Sequence, residues 1–104
     1  MLPNARVLSV DGVNTYLVEQ YLPGVTARQL DEASARLAAA ATELTANGVA
    51  VRYISSTFIP EEESCFCTFE APDANDVRRA CEQAGVRFAR IVETHDFSPK
   101  TEEQ

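Results

Sequence analysis

The 104-residue chain has no tryptophan, one methionine, one histidine and four glycines. It also lacks positive charge: nine Lys and Arg face sixteen Asp and Glu, for a net charge of -7. That balance excludes the basic face that a nucleic-acid backbone requires, and it disfavours anionic membrane surfaces. No apolar run approaches the roughly 20 residues of a membrane span. Residues 1–14 carry one arginine and no long apolar stretch, so no signal peptide is expected. There is no glycine-rich phosphate loop, no H-E-x-x-H, no C-x-x-C and no basic aromatic groove. The cysteine count, three, is odd. Cys65 and Cys67 would lie on one side of a strand with no chain reversal between them, which rules out a disulfide. Reduced thiols in a cytoplasmic protein are the expectation.

What is present is the patterning of one small α+β domain. Thr15 to Tyr21 reads as a strand that Pro23-Gly24 ends. Thr26, with Gln29 three residues on, makes a capping box. Leu30, Ala33, Leu37, Ala40 or Ala41, and Leu44 follow at helical spacing, and Asn47-Gly48 supplies a left-handed stop. Strands are expected over 49–59 and 64–70, joined by a turn at Pro60 and the solvated Glu61-Glu62-Glu63 run. A second helix, capped by Asp73 and ended by Gly85, turns Val77, Ala80, Cys81 and Ala84 inward. The last strand is expected over 88–95.

The order is β-α-β-β-α-β. A weak internal repeat supports it, since residues 48–54 (GVAVRYI) echo residues 85–91 (GVRFARI). Right-handed crossovers then put both helices on one face of an antiparallel sheet of ferredoxin-like architecture, with strand order 4-1-3-2. The division is an N-terminal arm at 1–14, in which Val7, Leu8 and Val10 could add a short strand, a ferredoxin-like domain at 15–97 and a disordered polar tail at 98–104.

If Cys65, Cys67 and Phe69 face the helices, Phe66, Thr68 and Glu70 face away. Leu17, Glu19 and Tyr21, and on the last strand Ile91, Glu93 and His95, are expected to join them on the open face. Each assignment turns on a single residue of register. A face mixing these apolar and acidic groups is too apolar to stay wet, so a homodimer through the sheet is expected.

Glu19, Glu70, Glu93 and His95 could then converge on one patch. Carboxylates with an imidazole suit a divalent metal such as nickel, zinc or manganese, and they equally suit general acid–base work. Solvated or dimer-edge residues, with Glu19 or Glu70 paired to Arg52 or Arg90, are the plainer alternative. Cys65, Cys67 and Cys81 read as core packing.

Three short motifs carry a resemblance: Gly24-Val25-Thr26-Ala27-x-Gln29-Leu30, Cys67-x-x-Glu70-Ala71-Pro72, and the segment from Ala84-Gly85 to Ile91-x-Glu93. Over about residues 15–95 the chain resembles a family of small bacterial proteins, long labelled a domain of unknown function, that includes an actinobacterial nickel-binding protein. The resemblance implies a ferredoxin-like fold, a homodimer and, in that member, surface nickel sites. Nickel-type relatives carry histidines on the first strand and both helices. The matching positions here are Glu19 and Gln20, Ser34, and Cys81, so the chain resembles a histidine-poor branch. Of these, Glu19 and Cys81 keep metal-ligating capacity.

The expectation is a small dimeric binding protein, with nickel or another divalent metal held by Glu19, Glu70, Glu93, His95 and Cys81. One alternative is a small-substrate enzyme of the dimeric α+β barrel type, isomerase or monooxygenase-like, with Tyr16, Tyr21, Tyr53, Glu19 and His95 lining a pocket. No catalytic set follows from the sequence. The other alternative is a purely structural or interaction module.

Overall fold

Six elements follow one another in the expected order in the computed structural model, which describes residues 12–97 and 99. They are β1 (Asn14–Tyr21), α1 (Ala27–Ala46), β2 (Arg52–Ile59), β3 (Ser64–Ala71), α2 (Ala74–Ala84) and β4 (Arg90–Thr94). The strands form one antiparallel sheet ordered β2-β3-β1-β4. The fold is the α+β, ferredoxin-like arrangement read from the pattern. The short strand expected at 7–10 lies outside the described residues, as does the 98–104 tail apart from Pro99.

Local chemistry sets both helix ends. Thr26 and Gln29 form the reciprocal capping box, each side chain accepting from the other's backbone N–H at 3.1 and 2.9 Å. Asp73 accepts from the backbone N–H groups of Asn75 and Asp76. Gly85 closes α2 in the left-handed conformation at φ 71, which a side chain would oppose. The inner stripes are as spaced: Leu37, Ala40, Ala41 and Leu44 on α1, and Val77, Ala80, Cys81 and Ala84 on α2, are all buried. They pack on Val18, Cys65, Cys67 and Phe69 of the sheet, with the Phe69 ring edge-on to Tyr53 at 5.4 Å.

Two features depart from simple alternation. In β2 the pairing with β3 slips between Tyr53 and Ser55, leaving Ile54 as an extra residue. After it Ser56 lies opposite Cys67 and Phe58 opposite Cys65, so both turn toward the helices. In β4, Ile91 lies opposite the buried Val18 and Glu93 opposite the buried Tyr16. The expected face of the last strand is therefore one residue out of phase: Arg90 and Val92 occupy the open side, while Ile91 packs against the core. The adjacent apolar pair Ile91-Val92 offers no alternation to fix the phase, and the bond from Ala89 N–H to the Glu19 carbonyl at 2.7 Å sets it.

Candidate functional site

The phase of β4 divides the expected acidic patch. Glu19 and Glu70 lie on the open face, each against its own arginine: Glu19 to Arg90 at 2.5 Å, and Glu70 to Arg52 at 3.5 Å. Glu93 belongs to the other side, where its Oε2 meets His95 Nε2 at 3.0 Å. Cys81 is wholly buried on α2, and desolvation pushes its thiol up to about 11, so it is protonated at neutral pH. Among the described residues no three His, Cys, Asp or Glu side chains stand together in a metal-holding arrangement.

What the structure does bring together lies at one end of the sheet. A cleft of about 190 Å³ is lined by Glu70 from β3, by His95 and Asp96 just past β4, and by Asn14 and Thr15 of β1 between them. With Glu93 bonded to His95, an imidazole and carboxylates from two chain segments border one depression. These are donor types that suit a borderline divalent cation, although among the described residues no three of them are gathered closely enough to form a ready-made cage.

A second, larger cleft of about 630 Å³ opens between the first half of α1 and the sheet. Its rim is the loop 22–25, tied down by Glu63. That residue takes a positive φ of 52 in the β2–β3 turn; its carbonyl accepts from Leu22 N–H at 2.7 Å and its carboxylate from Gly24 N–H at 2.9 Å. Glu63 thus has a structural task that the reading of a solvated acidic turn missed.

Beside this cleft runs a continuous polar chain that starts at half-buried Ser34 and Tyr53, passes exposed Ser56 and reaches buried Cys67 and Gln20. Ser34 Oγ lies 2.8 Å from Tyr53 Oη, which lies 2.5 Å from Ser56 Oγ. Ser56 donates to Cys67 Sγ at 3.1 Å, and Cys67 donates to Gln20 Oε1 at 3.4 Å. Gln20 Nε2 then donates to the Arg87 carbonyl at 2.9 Å. Ser56 has one proton and gives it to Cys67, so Tyr53 must donate to Ser56 and Ser34 to Tyr53. The chain therefore runs in one direction, each bond polarising the next. Burial is the main force that pushes the Cys67 thiol up to about 12, which keeps it a neutral donor.

Neither buried Gln20 nor exposed Ser56 was singled out as a member of this chain. Gln20 carried a usable signal, a polar side chain two residues past the core residue Val18 on the inward side, and it is only 6% exposed. Ser56 carried none, because the extra residue at Ile54 sets its direction. Of the tyrosines expected to line a pocket, Tyr21 borders this cleft, Tyr16 is buried in the core, and Tyr53 reaches it through Ser34 and Ser56.

Comparison with known proteins follows the same lines. The family described as nickel responsive protein SCO4226-like matches residues 16–94. Comparison with curated proteins gives no match. The crystal structure of SCO4226 from Streptomyces coelicolor A3(2) superposes with a TM-score of 0.70 at 22% identity, covering 81% of this chain and 99% of that one. At that identity the superposition speaks for the fold. The family match takes in every strand and both helices, and the chain belongs to the nickel-responsive, SCO4226-like family.

Proposed function

We propose that the protein is a small metal-responsive binding protein, working as a homodimer, that takes a divalent cation between Glu93 and His95 at the edge of the cleft lined by His95 and Asp96. Nickel is the first candidate, on the strength of the family's description. The observation that carries the reading is the 3.0 Å contact of His95 Nε2 with Glu93 Oε2 beside the cleft that Glu70 and Asp96 line. A cation there would take the place of the direct His95–Glu93 contact and leave its remaining positions to water. Binding is accordingly looser than in a closed four-ligand structural site. Cys81, sealed in the core, and Glu19, held by Arg90, stand outside the proposed set. The dimer is supported by the half-buried Leu17, Phe66 and Val92 on the open face, flanked by two acid–arginine pairs that a two-fold axis could exchange.

Isothermal titration with nickel and zinc chlorides tests the cation. Saturable binding that His95→Ala abolishes is the expected result. Affinity no better than about millimolar, ~4 kcal/mol, would overturn it, as would binding indifferent to that substitution. Sedimentation equilibrium on the same samples tests the dimer, and a monomeric mass at micromolar concentration would contradict it.

A further inference from the structure

The cleft under α1 has no part in the cation reading, and its chemistry is different. It lies where Ala33 and Ser34, both small, pass over the sheet between β1, β3 and the α2–β4 connection. Its volume of about 630 Å³ falls within the range of small-molecule sites. The walls mix apolar Leu30, Leu37 and Val86 with neutral polar Gln20, Ser34 and Ser56. Gln20 spends one N–H on the Arg87 carbonyl and one lone pair on Cys67, so each end of its amide keeps capacity for a further partner.

The charge at the rim is unusual for this molecule. The chain is strongly acidic, yet Arg36 and Arg87 both line the cleft, and Glu32 is the one carboxylate among the lining residues. Neither arginine forms an ion pair among the described residues, whereas Arg52, Arg79 and Arg90 all do. Arg36 is held in position by donating its Nε–H to the Ala84 carbonyl at 3.0 Å, which leaves its terminal N–H groups free of that bond. The rim is fixed on the opposite side by Glu63 and on the near side by the Gln20–Arg87 bond. The mouth is therefore set before any ligand arrives, which lowers the ordering cost of binding.

We infer that this cleft is a binding site for a small organic acid, its carboxylate at Arg36 and Arg87, its apolar body against Leu30, Leu37 and Val86, and its far end reaching the Gln20 amide. Guanidinium is the side chain best shaped for a carboxylate. The neutral polar groups set among the apolar ones suit a ligand that carries a polar group beyond its apolar part. The site is independent of the cation reading, and either can fail without the other.

The test is a ¹H–¹⁵N NMR titration of the full chain with sodium phenylacetate and sodium hexanoate. Phenylacetamide and hexanamide serve as neutral matches, and sodium phosphate as an inorganic anion. Saturable shifts at the Gln20 side-chain amide, Val86 and Arg87 are expected with the acids and not with the amides or phosphate. Arg87→Gln removes the guanidinium but keeps the carbonyl that Gln20 uses. It should weaken the response about tenfold, the scale of one charged hydrogen bond, with the thermal midpoint unmoved. Ala33→Phe should fill the cleft and abolish the response. An equal response to the amides would remove the anionic part of the inference, and an equal response to phosphate would remove the organic part. No saturable shift with either acid up to about 10 mM, or a response that Arg87→Gln leaves intact, would overturn the site altogether.

Discussion

One sheet presents two faces that solve the same problem in opposite ways. On the helix side Val18, Cys67 and Phe69 are almost wholly removed from water, and the polar groups that lead past exposed Ser56 in to Cys67 and Gln20 are neutral and joined tail to head, from Ser34 to the Arg87 carbonyl. On the open side the polar groups are charged, and they stand as separate pairs, Glu19 with Arg90 and Glu70 with Arg52, among half-buried Leu17, Phe66 and Val92. The difference follows solvent access. Where water is excluded an ion would cost more than its partner returns, while a hydroxyl, a thiol or an amide can be satisfied by one neighbour each. Where water remains, ion pairs are inexpensive to keep and contribute little.

The comparison can be attacked first on the inner face. Phe69→Ala deletes a fully buried ring that meets Tyr53 at 5.4 Å. It should cost about 3–5 kcal/mol in urea denaturation; a loss under about 1 kcal/mol would mean the inner face is far less closely packed than its burial implies. A smaller effect is expected from alkali. The thiols of Cys67 and Cys81 are raised from an ordinary 9.0 to about 12 and about 11, so the folded chain holds protons there that the unfolded chain gives up. Stability from this source is complete below pH 9 and is lost as pH rises through 11 and 12. The thermal midpoint should fall above pH 9, and Cys67→Ala should flatten that fall. All three thiols should resist Ellman's reagent at neutral pH until denaturant is added, because all are buried. The smallest effect belongs to the open face. Glu19→Gln breaks a pair whose side chains are 30% and 67% exposed, and the monomer fold should lose no more than about 1 kcal/mol. A larger loss would show that this face is drier than the single chain makes it, as a covering partner would.

Much of the fold was legible because local chemistry and long-range packing agree. Thr26 with Gln29, Asp73 and Gly85 mark helix ends whatever the helices touch, and the Leu37–Leu44 stripe states its own buried side. Strand order followed from crossover handedness. The candidate site was less legible, since it depends on the parity of each strand. Cys65-Phe66-Cys67 alternates cleanly and was assigned to the correct faces. Ile91-Val92 does not alternate, and the error carried Glu93 to the wrong side of the sheet, away from Glu19 and Glu70. The larger cleft left no trace in the sequence at all, because a gap is made by how far a helix stands off a sheet. Arg36 and Arg87 at its mouth, without an ion pair among the described residues, are recognisable only once it exists.

The extra residue at Ile54 bears on how this protein tolerates change. Its side chain is 40% exposed, so many substitutions there should be absorbed. Its removal would be absorbed too: with Ile54 gone the alternation runs on from Tyr53 in the register already present, Ser55 and Thr57 on the open side and Ser56 and Phe58 toward the helices. A one-codon deletion at Ile54 should thus spare the hydrogen-bonded chain and the Phe58 ring, and remove only the local twist that a bulge adds. This strand carries a spare residue, so it can shorten by one at that point without changing which side chains meet the interior.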